Sequence, residues 1–158
     1  MVELFYDLVF VFAITQLSHG LLAHLDPMGA LQSALLFLGV WWMWMYTTWS
    51  TNWLNPAATP VRLLLFALMA LGMLMSAALP QAFADRGLAF ALAYVAQHLL
   101  RSAYAVRAFG AATPQGRNFL RILAWLSVSG ACWIAGGLAD PATRLAWWGA
   151  ALAIEYLG

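Results

Sequence analysis

Long apolar stretches follow one another along this chain, and each is close to the roughly 20 residues that a helix needs to cross the hydrocarbon core of a bilayer. They bring apolar residues to 65% of the 158 positions and charged residues to 8%, against about 45–50% and 25% in a soluble domain. A chain of this length has too little interior to bury that excess away from water. The sequence therefore predicts an all-α fold, a polytopic transmembrane helix bundle in a single domain, surrounded by the lipid bilayer.

Turn residues divide the bundle into five complete predicted helices and a sixth that is cut short. The predicted helices are 4–24, 31–49, 61–79, 88–109, 119–138 and 142–158. Asp26, Thr59 and Asp140 each stand directly before a proline, which suits the N-cap and the first position of a helix, and Asp85 is expected to cap the fourth helix. Because the connections are short, successive helices are expected to be antiparallel neighbours. The short sixth helix predicts that the chain is the N-terminal part of a longer protein.

Arginines near the helix ends indicate an orientation, since short cytoplasmic loops are enriched in basic residues. On the side where the first helix begins lie Arg62, Arg107, Arg117 and Arg121, whereas Arg86 and Arg144 lie on the other side. We therefore expect a cytoplasmic N-terminus. The net charge is only +1 and the arginines are scattered, so we expect no nucleic-acid partner.

Polar side chains at membrane depth are costly and commonly mark functional sites. The first helix carries Glu3 and Asp7 near its start, and Gln16 and His19 farther along. The fourth helix has the most regular stripe, in which five side chains share one face: Tyr94, Gln97, His98, Arg101 and Tyr104. Glu155 is the acidic residue of the sixth helix.

In the antiparallel layout, Asp7, Arg101 and Glu155 fall in the same half of the bilayer. An arginine there needs an anion, because its guanidinium stays charged and carries five donors. We therefore hypothesise a buried network of Asp7, Arg101 and Glu155, with the rest of the polar stripe nearby. The network would either only fix the helix register, with Arg101 reaching to the interface, or line a path for an ion, a proton or a small solute. His98 is the residue type that a proton relay needs, because histidine exchanges protons near neutral pH.

An aromatic stripe on the second helix comprises Trp42, Tyr46, Trp49 and Trp53. Such a stripe is typical of anchoring at the membrane interface, and the alternative is a stacking site for an apolar or cationic ligand.

Enzyme chemistry finds little support in the sequence, which contains no H-E-x-x-H and no G-x-S-x-G motif. His19 and His24 lie about 140° apart around a helix, so they do not face one metal ion. Cys132 is the only cysteine. We therefore predict no enzyme and no cofactor, with a metal or haem held between His19 and His98 as the remaining alternative.

Several longer motifs resemble the bacterial low temperature requirement A (LtrA) family. They are ELFYDLVFVFAITQLSH at 3–19, YTTWSTNWLNP at 46–56, RLLLFALM at 62–69, MSAALP at 75–80 and RNFLRILAW at 117–125. The resemblance implies a multi-pass protein of the bacterial cytoplasmic membrane that is longer than this chain and linked to growth at low temperature. On the polar residues, we expect a channel or secondary transporter. The alternative is a structural or regulatory membrane protein in cold or envelope stress adaptation.

Overall fold

The computed structural model describes residues 2–23, 25–55 and 57–158, and the side chains from residue 5 onward within these ranges. These residues form six α-helices and one 3-10 turn, with no strand among them. The helices are α1 (Val2–Ala23), α2 (Pro27–Thr51), α3 (Thr59–Ala78), α4 (Gly87–Phe109), α5 (Pro114–Leu138) and α6 (Pro141–Leu157), and the 3-10 turn (Leu79–Gln81) follows α3. The predicted all-α fold is confirmed.

Capping side chains set the starts of α2 and α5, whereas α3, α4 and α6 begin without a side-chain cap. α2 begins at Pro27 because the carboxylate of Asp26 accepts a hydrogen bond from the amide of Gly29. α5 begins at Pro114 because the hydroxyl of Thr113 accepts from the amide of Gly116 at 3.0 Å. The expectation that Asp85 caps α4 is wrong, since Arg86 holds the N-cap position and makes no side-chain cap there.

Four helices are long and apolar enough to cross a membrane, namely Phe5–Ala23, Pro27–Thr51, Thr59–Gln81 and Pro114–Leu138. α4 has 23 residues, which extend over about 34 Å at 1.5 Å per residue. It is long enough to cross, but its polar stripe makes it less apolar than these four. That stripe lies inside the bundle, so the polar groups of α4 are shielded from lipid.

The helices pack around α4, which contacts α5 and α3 most extensively and also touches α2. α5 approaches closely at Gly137, where a Cβ atom would lie 2.9 Å from the Cα atom of Leu88. Four successive helix pairs are neighbours as expected, but α2 and α3 share no substantial interface among the described residues. Instead, α1 packs against both α2 and α3.

Large side chains point both inward and outward, as expected for a protein in lipid. Phe90, Trp133 and Trp148 are completely buried in the core. In contrast, Leu63 and Leu74 are more than 60% exposed on α3. An outer surface of this kind is stable when acyl chains cover it, and the apolar helices support a protein embedded in the bilayer.

Candidate functional site

One turn and a half of α4 carries a dense cluster of buried polar side chains. Gln97, His98, Arg101 and Ser102 are each 2% exposed or less. Long polar side chains are seldom buried this completely unless their donors and acceptors are paired. The partners of this cluster therefore define what it can do.

Arg101 is held by neutral side chains. Its Nη1 donates to the hydroxyl oxygen of Thr47 at 2.8 Å and lies 3.6 Å from the sulfur of Met43. Its Nη2 lies 2.7 Å from Nδ1 of His98, and the guanidinium carbon lies 4.6 Å from the centroid of the Tyr46 ring. None of these groups carries a negative charge.

Thr47 connects Arg101 to the first helix. The hydroxyl of Tyr6 donates to the Thr47 oxygen at 2.9 Å, and the Thr47 hydroxyl donates to the carbonyl of Met43 at 2.9 Å. The Thr47 oxygen therefore accepts hydrogen bonds from both Tyr6 and Arg101, and the hydroxyl uses its one hydrogen in the bond to Met43. Since a hydroxyl has one donor and two acceptor sites, Thr47 is saturated and the direction of every bond in the chain is fixed.

The protonation state of His98 follows from the same reasoning. Arginine has only donors, so Nδ1 of His98 must accept and carries no proton. His98 is thus neutral in this arrangement and bears its proton on Nε2. That Nε2, the Nε of Arg101, the Oε1 of Gln97 and the hydroxyl of Ser102 are buried atoms without a hydrogen-bond partner in the described part of the chain.

Glu155 forms the second half of the polar interior, with donors from two other helices. Its Oε2 accepts from the hydroxyl of Tyr94 at 2.7 Å. Its Oε1 accepts from the hydroxyl of Ser129 at 2.6 Å and from Nε1 of Trp133 at 2.9 Å. The Tyr94 ring packs edge-on against His98 with centroids 4.7 Å apart, so the two halves meet there.

Asp7 is bonded separately from Arg101. Its Oδ1 accepts from Nε1 of Trp44 at 2.9 Å. The carboxylate lines a cavity of about 140 Å³ between the start of α1 and the end of α2. Tyr6 and Thr51 line the same cavity, so it opens beside the Tyr6–Thr47 hydrogen bond. The hypothesised network is therefore divided among three sets of neutral partners.

The other predicted site residues lie at different places. Gln16 is half-buried and lines a cavity of about 280 Å³ at the opposite end of α1, with Asp26 and Gln32. His19 is exposed on a groove between α1 and α2. Tyr104 is half-buried and packs against the core. The side chain of Glu3 lies outside the described residues.

The aromatic stripe of α2 is only partly at the surface. Trp42 packs against Tyr156 with ring centroids 4.4 Å apart, and Tyr46 lies under the guanidinium of Arg101. Trp53 remains 53% exposed. The cation that this stripe meets is thus an arginine of the protein itself.

Sequence reasoning missed several contributors. Thr47 could have been found because Thr47, Ser50 and Thr51 form a polar face of α2, and all three are buried. Ser129 and Trp133 lie one turn apart on α5, but nothing in that spacing identifies their acceptor. Their role depends on how α5 faces α6.

Arg144 was also missed, since the sequence placed it at the membrane surface. It is 5% exposed and binds four backbone carbonyls. Nε donates to Gly136 at 3.0 Å, Nη1 to Ala82 at 2.9 Å and Ala84 at 2.7 Å, and Nη2 to Ala139 at 3.1 Å. It joins the turn before α4 to the end of α5.

Comparison with known proteins places these residues in a family context. Over residues 1–158, the chain matches the family model of the bacterial low temperature requirement A protein (LtrA). It is 46% identical over 157 residues to the uncharacterized protein RA0937 of Rhizobium meliloti (strain 1021), an alignment that spans 99% of this chain but only 38% of that relative. Most of the relative's length thus lies outside the matched region. No solved structure matches the chain.

Proposed function

This chain belongs to the bacterial low temperature requirement A (LtrA) family, and from that premise we propose that it forms part of a channel or secondary transporter for an ion, a proton or a small solute. The apolar helices and the family make it a multi-pass membrane protein linked to low temperature. The observation that supports transport is the buried chain of hydrogen bonds from Tyr6 through Thr47 and Arg101 to His98.

A buried arginine whose donors are incompletely paired, as Arg101 is among the described residues, is a poor structural element. Taking a charge out of water is costly, and the cost is offset only when the charge is well paired. In membrane proteins, ionisable side chains that face the bundle interior commonly mark solute or ion pathways. The incomplete pairing of Arg101 and His98 therefore favours a site that a solute visits.

Polar cavities lie at both ends of α1. One is lined by Asp7 and Tyr6, and the other by Gln16 and Asp26. Between them, α1 buries the apolar side chains Phe10 and Ala13. We propose that this apolar layer closes the path in the described conformation and that the solute crosses when the helices around Thr47 move apart.

His98 would contribute to a proton step only after its bond to Arg101 breaks. Its Nδ1 accepts from Arg101 at 2.7 Å, so that nitrogen cannot take a proton while the bond persists. A solute that draws the guanidinium away would free Nδ1. Proton uptake and solute binding would then be coupled through these two side chains.

The test is flux into proteoliposomes made with the purified protein, under gradients of protons, monovalent cations and small anions. We expect flux of at least one solute, and a reduction of about tenfold or more in Thr47→Val, which removes an oxygen bonded to a charged group. Thr15→Val is the matched control, because the Thr15 hydroxyl bonds only to the carbonyl of Val11, at 2.9 Å, on the exposed face of α1. Absence of flux under every gradient would favour the alternative, a structural or regulatory membrane protein.

We further propose that the N-terminus is cytoplasmic and that the membrane is the bacterial cytoplasmic membrane. In a Cys132→Ser background, Ala57→Cys would lie on the side where α1 begins, and Ala84→Cys on the other side. A membrane-impermeant maleimide added to intact cells should label the second and spare the first. The reverse pattern would contradict this orientation.

A further inference from the structure

Two neighbouring side chains on one face of α4 have buried donors that find no acceptor among the described residues. They are the Nε of Arg101 and the Nε2 of His98, which carries the imidazole proton because Nδ1 accepts from Arg101. Both groups offer hydrogen atoms, and one carries a permanent positive charge. The missing partner must therefore be an acceptor, and a negatively charged one would also neutralise the guanidinium.

The two carboxylates that the sequence placed in the same half of the bilayer as Arg101 are bonded to other groups. Asp7 accepts from Trp44, and Glu155 accepts from Tyr94, Ser129 and Trp133. A water molecule could satisfy a donor that has no partner, but it would leave Arg101 without a directly bonded anion inside an apolar bundle.

We propose that Arg101 and His98 form a binding site for a small monovalent anion, such as a halide or a small carboxylate. This inference rests on the proposed function, since it names the class of solute that the path would carry. The anion replaces Nδ1 of His98 and the sulfur of Met43 as partners of the guanidinium. It then accepts from the guanidinium, while His98 donates through Nε2.

Access is provided beside Tyr46. Its ring stacks on the guanidinium with 4.6 Å between the guanidinium carbon and the ring centroid. Tyr46 also lines a cavity of about 220 Å³, together with Asn118, Arg121 and Glu155. Rotation of the Tyr46 side chain would connect this cavity to Arg101. Arg121 offsets the charge of Glu155 at this cavity, whereas Asp7 is the one charged residue that lines the cavity at the start of α1. An anion therefore enters the proposed path from the Tyr46 cavity rather than past Asp7.

The experiment measures binding of bromide to the detergent-solubilised protein, as a rise in Tm with sodium bromide over sodium gluconate at the same ionic strength. A ligand that binds only the folded state raises Tm. Arg101→Gln should weaken the apparent bromide affinity by about tenfold or more, since it removes charged hydrogen bonds. The control Arg107→Gln removes an exposed arginine from the same helix and should bind as the unmodified protein does.

Arg101→Lys keeps the charge and guards against a variant that fails to fold. It should retain bromide binding with reduced affinity. Equal bromide binding in the unmodified protein and Arg101→Gln would overturn the anion site. Flux of protons or cations without bromide binding would overturn it too, while the proposed transport would stand. Bromide binding that depends on Arg101 in a protein that moves no solute would support the site and reject transport.

Discussion

Arg101 and Arg144 are both buried, but they occupy opposite halves of the bundle and differ in how they are bonded. Arg144 donates to four backbone carbonyls, two in the turn before α4 and two at the end of α5. Arg101 contacts a hydroxyl, an imidazole and a thioether, and its Nε has no partner among the described residues. One guanidinium is nearly saturated by the main chain, whereas the other depends on side chains.

The bonding partners of a buried charge indicate its role. Backbone carbonyls of short connections cannot rotate away, so Arg144 fixes the relative position of the segments that it joins. Side-chain partners can change rotamer at small cost, so Arg101 can exchange them for a ligand. The following predictions test this contrast.

Arg144→Gln should give the largest loss of stability. It removes all four carbonyl contacts, and buried acceptors left unpaired cost about 1–3 kcal/mol each. Allowing for rehydration of the more exposed ones, we expect the free energy of unfolding to fall by about 3 kcal/mol or more. Denaturant titration in detergent micelles measures this. Arg86→Gln is the control, because Arg86 is exposed and its side chain makes a single bond of 3.4 Å to Ala77. Equal losses of stability in the two variants would contradict the structural role of Arg144.

Gly87→Ala should disturb the same bonds of Arg144 and lower the free energy of unfolding by a smaller amount. A Cβ atom at Gly87 would lie 2.5 Å from the Cζ of Arg144 and 2.8 Å from the carbonyl oxygen of Ala82, so the guanidinium must move. Overpacking of this kind costs about 1–3 kcal/mol. Gly149→Ala meets nothing closer than 4.0 Å and should be tolerated. In the Arg144→Gln background the Gly87→Ala loss should shrink, and full additivity would show that the two sites are independent.

Much of the fold could be predicted from the sequence. The apolar runs locate the six helices, because lipid offers no hydrogen-bond partner and the backbone must satisfy its own donors and acceptors. The cap of α2 by Asp26 was predicted and is confirmed, although the apolar stretch alone placed the start at residue 31. The cap of α5 by Thr113 was not predicted, so the start of α5 was placed too late. The neighbours of α2 were also misassigned, because a connection of seven residues allows more than one packing order.

The sequence could predict which site residues share a face of one helix. The spacing of Tyr94, Gln97, His98 and Arg101 places them on one face of α4, and the structure buries all four. The pairing between helices was not predictable, because it depends on helix rotation. Pairing opposite charges would predict a bond between Arg101 and Asp7. In the structure, Asp7 accepts from the indole of Trp44, and Arg101 donates to the hydroxyl of Thr47.

Thr47→Val removes a bonded partner of Arg101 and should cause an intermediate loss of stability. Valine has nearly the same shape but neither accepts from Tyr6 and Arg101 nor donates to Met43. The loss in unfolding free energy should be about 1–2 kcal/mol, measured by the same titration. Thr15→Val, on the exposed face of α1, should change stability by less than about 0.5 kcal/mol. A Thr47→Val protein as stable as this control would show that the Tyr6–Thr47–Arg101 chain contributes nothing to the fold.

Arg101→Gln should change stability least of all when gluconate is the only anion present. The substitution removes two hydrogen bonds to neutral groups, but it also removes a buried charge that bonds to no carboxylate of the described residues. Replacing such charges is often neutral or stabilising. We therefore expect a change of less than about 1 kcal/mol in either direction. Added bromide should then increase the Tm of the unmodified protein more than that of the variant, because the variant binds it more weakly. If Arg101→Gln costs as much as Arg144→Gln in gluconate, both arginines are structural and the distinction between them fails.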